Sequence, residues 1–144
     1  MVELSAPALS GPKQDDVGTL MSSRDKAILC AREAVSYKAL DLIVLDVARF
    51  SSLADYFIIC SAKSSRQVQG IADNLERGLR THGIKPLGSE GKSEGHWVLM
   101  DYADVIIHIF YEPVREFYDL ESLWSEASML DWEHSGGDLA PRTN

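Results

Sequence analysis

Apolar side chains recur along residues 21–132 in two rhythms, one of about 3.6 residues and one of two. A first helix is expected from Ser22 or Ser23, either of which can cap the free amides of a first turn, with Leu20 and Met21 placed as a hydrophobic staple. Ala27, Ile28, Ala31, Ala34 and Val35 then share one helical face, and Cys30 sits inside the helix as a small packing residue. The apolar run at residues 42–47 predicts a strand buried on both faces. After Ser51 and Ser52, residues 56–60 read as a second strand. Ser64 lies three residues before Gln67, the spacing of a capping box, and Val68, Ile71, Ala72, Leu75 and Leu79 follow at i, i+3, i+4, i+7 and i+11. Gly83 closes this helix as a left-handed cap.

A short strand over residues 84–87 would complete a β-α-β unit with a right-handed crossover. Residues 89–95 are polar and glycine-bearing, so they predict the most flexible loop of the domain, with Gly88, Gly91 and Gly95 as turn glycines. Residues 96–101 and 105–110 predict two antiparallel strands joined by Tyr102-Ala103-Asp104. Period two puts Trp97, Leu99 and Asp101 on one face of the first of these, with His96, Val98 and Met100 on the other. Pro113 suits the opening turn of a last helix carrying Phe117, Leu120, Leu123 and Trp124. The order α-β-β-α-β-β-β-α predicts an α/β fold, a mixed sheet with flanking helices in one small domain. Residues 21–132 form that domain, and residues 1–20 and 133–144 are expected as disordered tails, since scattered Pro, Gly and polar residues offer little apolar area against ordering entropy. The first tail has neither the basic start and apolar middle of a secretory signal nor the Arg-rich character of an organelle leader.

Composition narrows the partners. The chain has 144 residues with 14 Lys+Arg against 22 Asp+Glu, a net charge of −8. That balance disfavours phosphate neutralisation on nucleic acids and docking on anionic membranes. No apolar run approaches the ~20 residues needed to span a bilayer, and two isolated cysteines suit a reducing compartment; a cytoplasmic protein is expected. The charge is unevenly distributed. Residues 49–92 hold seven basic and four acidic side chains, whereas residues 94–133 hold one basic and ten acidic. The acidic stretch reads either as a solvated surface or as one that meets a basic partner.

No nucleophile constellation or zinc-ligand spacing is present, and the glycines match no phosphate-binding loop. His108, inside an apolar strand, reads as a hydrogen-bonded core histidine, and His82 as a cation at a helix end. Asp46, Asp55, Asp101 and Asp104 fall at or near strand ends, where carboxylates either cap turns or converge on magnesium. Trp97 and the Asp101-Tyr102 pair place an indole, an acid and a phenol in one short segment. They read either as core or as an interface anchor.

These residues carry a resemblance. Asp55-Tyr56-Phe57-Ile58-Ile59, Ser64-Ser65-Arg66-Gln67, Pro86-Leu87-Gly88, Glu90-Gly91, residues 97–102, Asp104-Val105, His108-Ile109-Phe110 and residues 115–124 occur in the order seen in the Iojap family, the ribosomal silencing factor S proteins. The likeness runs from about Ile28 to Trp124. It implies a fold related in shape to nucleotidyltransferases, usually as a homodimer, and a protein that is neither an enzyme nor dependent on a cofactor. It further implies binding to the fourteenth protein of the large ribosomal subunit, at the joining face, which blocks the small subunit and represses translation when nutrients are short. The contact surface implied is Trp97, Leu99, Asp101, Tyr102 and Asp104, with Trp97 and Tyr102 as anchors. Direct sequence-specific contact with nucleic acid is not expected, nor is a membrane. The chain departs from the family at Ala62 and Ala103, where glycine is common. If either position needs positive φ, alanine costs on the order of 1 kcal/mol. The alternative from another class is a metal-dependent nucleotidyltransferase using Asp46, Asp101 or Asp104, a reading that Ala62 and the lack of an Asp-x-Asp pair weaken.

Overall fold

A computed structural model describes residues 21–134. Helix α1 spans Ser23–Ser36, with Ser22 Oγ accepting the Asp25 amide at 3.0 Å. Ala27, Ile28, Cys30, Ala31 and Ala34 are buried as the spacing predicts, but Val35 is exposed. Leu20 of the expected staple lies outside the described residues; Met21 packs on the core. Strand β1 (Leu40–Asp46) is buried on both faces only at Val44 and Leu45, while Leu42 and Ile43 are half-buried. Its far side meets only a two-residue strand, so less covers it than an apolar run suggests. Strand β2 (Tyr56–Ala62) is buried throughout.

Helix α2 (Ser65–Arg80) buries Val68, Ile71, Ala72, Leu75 and Leu79, all five expected. The Gln67 amide donates to Ser64 Oγ at 3.1 Å, and Gln67 Oε1 accepts the amide of Lys63, one residue before the cap, at 2.9 Å. Gly83 has φ +78°. The expected strand at 84–87 does not form. The Ile84 amide is spent on Leu79 O at 3.0 Å, closing the helix, and Pro86 has no amide to donate to a ladder. The strand instead is β3 (Gly88–Glu90), so Gly88 is a strand residue and not a turn glycine. Strands β4 (Trp97–Asp101) and β5 (Val105–Tyr111) pair antiparallel, Trp97 opposite Phe110 and Asp101 opposite Ile106.

The single last helix is in fact two. Helix α3 (Glu112–Tyr118) ends at Asp119, which adopts φ 45°, ψ 54°, and helix α4 (Leu120–Leu123) follows. Aspartate tolerates this left-handed conformation better than most residues. The break turns Leu120 into the core and leaves Phe117 and Leu123 80% and 75% exposed. A final strand β6 (Ser128–Met129), which the sequence does not announce, pairs with β1.

The mixed sheet runs β3-β4-β5-β2-β1-β6. The parallel partner of β2 is β5, so the crossover passes through α2 and the β3–β4 hairpin. Period two divides the sheet's side chains between two cores. Helices α1 and α2 cover the face bearing Val44, Ile58, Cys60, Val98, Met100, Val105, Ile107 and Ile109. The opposite face, with Leu45, Phe57, Ile59, Leu99, Ile106 and Phe110, is met by Leu120 and, less fully, by Val114 and Trp124. Among the described residues, no helix is long and apolar enough to cross a membrane. The two expected tails lie outside the described residues, apart from Glu133 and His134.

Candidate functional site

Trp97 stands at the start of β4 on the thinly covered face, half-buried. Its indole is held from three directions. Nε1 donates to His108 Nδ1 at 3.1 Å, and the ring lies 4.7 Å from Phe110 and 4.9 Å from Tyr118, centroid to centroid. His108 is fully buried, with Phe57 edge-on at 5.1 Å and Phe110 stacked at 6.3 Å. Burial pulls its pKa down to about 3, so the ring is neutral. Because Nδ1 accepts from Trp97, the ring proton is assigned to Nε2, which has no hydrogen-bond partner among the described residues. The expectation of a hydrogen-bonded core histidine is met at Nδ1 only.

The exposed edge of Trp97 opens onto a cleft of about 450 Å³, lined also by Gly91, Glu94, His96, Pro113, Val114, Phe117 and Tyr118. The loop behind it is pinned rather than the flexible segment its composition suggests. Gln69 Nε2 on α2 donates to the carbonyls of Lys92 at 2.8 Å and Ser93 at 3.0 Å. Gly91 has φ +89°, and a Cβ there would come within 2.1 Å of the Trp97 carbonyl oxygen. Only glycine fits beneath this strand end. That requirement is a close approach in space, which the local sequence does not display.

At the other end of β4 the predicted site residues are differently placed. Leu99 is buried beside Trp97's face. Asp101 is 4% exposed and accepts the Ala103 amide at 2.8 Å; burial raises its pKa and that amide works against the rise. Tyr102 is 2% exposed, its ring within the core under α1 and α2, and its hydroxyl finds no partner among the described residues. Burial pushes the phenol's pKa up. Asp104 is partly exposed and pairs with Lys26 Nζ at 2.7 Å, which also donates to the Tyr102 carbonyl at 2.8 Å. Trp97 and Asp104 therefore flank the strand from opposite ends, about 13 Å apart at least at ~3.3 Å per residue. Leu99, Asp101 and Tyr102 are buried and present almost no side chain to solvent, Leu99 in the core beneath Trp97 and Tyr102 in the core on the opposite sheet face.

The same geometry bears on the carboxylates. Asp46 Oδ1 accepts the Ala48 amide at 3.2 Å, and Asp101 and Asp104 are engaged as above. Among the described residues, no three His, Cys, Asp or Glu side chains converge as a metal site would need.

Arg115 is a residue that sequence reasoning missed. Its guanidinium donates to Glu121 Oε2 at 3.0 and 2.8 Å, to Ser61 Oγ at 2.7 Å and to the Asp41 carbonyl at 2.9 Å. This clamp ties α3 and α4 to β1 and β2 and so fixes the wall of the Trp97 cleft. One signal was available: Arg115 is the lone cation of residues 94–133.

Comparison with known proteins agrees with this architecture. The family described as "Ribosomal silencing factor during starvation" matches residues 20–143. Ribosomal silencing factor RsfS of Halalkalibacterium halodurans is 34% identical over 113 residues, which cover 78% of this chain and 97% of that protein. The Bacillus subtilis protein of the same name is 40% identical over 94 residues, covering 65% and 80%. A crystal structure from Chromobacterium violaceum superposes with a TM-score of 0.71 at 34% identity, covering 73% of this chain and 88% of that one. With the family's profile spanning nearly all of the sequence and its solved structures sharing the fold, the chain belongs to the ribosomal silencing factor family.

Proposed function

We propose that this protein binds the large ribosomal subunit through its fourteenth protein, at the joining face, and represses translation by excluding the small subunit from that surface under nutrient limitation. It acts in the cytoplasm by occupancy rather than by catalysis, and it forms a homodimer. The observation that carries the reading is Trp97: a half-buried indole, locked by His108, Phe110 and Tyr118, with a free edge in an open cleft. Rigid aromatic anchors of this kind dominate protein interfaces because little side-chain entropy remains to be lost on binding. The acidic balance of residues 94–133 favours a basic partner, although Asp104 within it is already paired with Lys26. Leu99, Asp101 and Tyr102 set the strand and turn between Trp97 and Asp104.

The test is a subunit-joining assay on sucrose gradients. Wild-type protein is expected to shift associated ribosomes toward free subunits and to sediment with isolated large subunits, not small ones. Trp97→Ala should weaken that binding by about 2 kcal/mol or more, roughly thirtyfold. Unchanged inhibition of joining by Trp97→Ala would sink the assignment of this surface.

A further inference from the structure

The net charge of −8 conceals a division between the two sides of the sheet. Residues 94–133, with the Trp97 strand and the two short helices, carry ten acids against one cation, whereas residues 63–85, which are α2 and its flanks, carry five cations against two acids. Both of those acids are matched already. Asp73 accepts Lys92 at 2.9 Å, and Glu76 accepts Arg80 at 2.7 Å. Lys63, Arg66, Arg77 and Lys85 are exposed and have no ion-pair partner among the described residues; Arg77 donates instead to the neutral amide oxygen of Asn74 at 2.7 Å. At about 100° per residue, Arg66, Arg77 and Arg80 lie within about 60° of one another, on the side of α2 away from its five buried residues, along a helix about 24 Å long. Lys63 precedes this ridge and Lys85 follows it. No large apolar side chain is exposed anywhere in residues 63–85.

We propose that the basic ridge of α2, from Lys63 to Lys85, rests on the phosphate backbone of large-subunit RNA, beside the protein that the Trp97 face binds. The inference rests on the reading of the chain as a binder of the large subunit and adds a contact of different chemistry. The start of the ridge adjoins the Trp97 cleft. Gln69 holds the carbonyls of Lys92 and Ser93, and a Cβ on Gly95 would come within 2.6 Å of the Ser65 carbonyl oxygen, so the loop that lines the cleft packs on the first turn of α2. The composition of the ridge selects its occupant. Unpaired cations spread along a rod offer neutralisation, but there is no apolar anchor for a protein and no exposed Phe, Tyr or Trp for a base to stack on. Such a surface gains from phosphates by releasing their counterions and reads no sequence, which agrees with the absence of sequence-specific contact expected above. A second copy that laid its acidic side on the ridge would make a head-to-tail contact, which propagates into rings or filaments and does not close a pair.

Titration of the full-length protein against isolated large subunits over a range of salt tests the inference, with wild type compared with Trp97→Ala and with the quadruple variant Lys63→Gln/Arg66→Gln/Arg77→Gln/Lys85→Gln. All four replaced side chains face solvent, so the melting temperature is expected to stay at the wild-type value. With each cation on one phosphate, removing four lessens the slope of log K against log salt by about 3, and a roughly fourfold rise in salt should cost wild type on the order of a hundredfold more affinity than the variant. A tethered iron chelate identifies what the ridge touches. Gly70 lies on the ridge, where an added Cβ meets nothing within 4 Å, and Cys30 and Cys60 are fully buried, so Gly70→Cys supplies a single accessible thiol for the chelate. Hydroxyl radicals released there should cut large-subunit RNA. Equal salt slopes in wild type and the quadruple variant would make the ridge a solvated face and overturn the inference; weaker binding by Trp97→Ala in the same experiment leaves the functional reading standing. A flattened slope without RNA cleavage from Gly70→Cys would assign the ridge to an acidic protein surface and overturn it as well. If wild type itself fails to bind large subunits, the underlying functional reading fails.

Discussion

Acidification probes how the Trp97 face is held. His108 accepts the Trp97 indole N–H from a site lined by Phe57 and Phe110, and burial alone accounts for its fall from 6.5 to about 3. A folded-state pKa below the unfolded value means that the contribution is complete above about pH 6.5 and is lost as pH falls toward 3, because the unfolded chain takes up the proton first. Each pH unit in that window costs about 1.4 kcal/mol, so moving from pH 7.5 to 5.0 removes about 2 kcal/mol of stability. That is a large share of the roughly 5–15 kcal/mol typical of a domain. Urea unfolding followed by far-ultraviolet circular dichroism at half-unit pH steps measures it, with His108→Gln as the comparison. The glutamine oxygen can still accept the indole N–H, but the side chain does not titrate. Two other groups act with the opposite sign. Burial raises the pKa of Asp101, and Asp131 raises that of exposed His134, so both favour the folded state as pH falls. They are common to both proteins and cancel in the difference. The expected result is a stability that falls by about 2 kcal/mol more in wild type than in His108→Gln. Parallel curves would refute the assignment of a neutral, desolvated His108.

The turn after β4 yields further expectations. Tyr102→Phe removes a buried hydroxyl that has no partner among the described residues, so urea unfolding should show a neutral effect or a gain of about 1 kcal/mol. Tyr102→Ala instead empties a core position and should cost about 3–5 kcal/mol, so a loss of ribosome binding in that variant reports unfolding rather than a lost contact. Ala103 has φ 75°, and Ala103→Gly should stabilise the protein by about 1 kcal/mol in a thermal melt. Ala62 lies in regular, fully buried strand, and Ala62→Gly should bring no such gain.

What the sequence displays and what it hides follow from the range of the interactions. Helix α2 is legible because its cap and its apolar face are set by neighbours a few residues apart. The split between the faces of β4 is legible for the same reason, since alternation is local. Strand β3 is hidden because Gly88, Ser89 and Glu90 are all exposed and only their pairing with β4 makes them a strand. The break at Asp119 is hidden because Phe117, Leu120, Leu123 and Trp124 keep a helical spacing through it. Trp97 was identifiable as a residue caught between core and surface, and it is half-buried. The depth of Tyr102 was not, because it follows the strand and its side chain turns under α1 and α2 only after the chain closes. The alternative of positive φ at Ala62 or Ala103 resolves to Ala103 alone.

The pairing of β6 with β1 bears on how the chain is made. The outer edge of β1 is covered by residues near the end of the described chain, where the Leu130 amide bonds the Val44 carbonyl and Leu130 and Trp132 pack on the main core. Until Leu130 has been synthesised and has emerged, the nascent protein carries an open strand edge able to pair with other chains. A chain cut short before Leu130 would keep that edge open permanently.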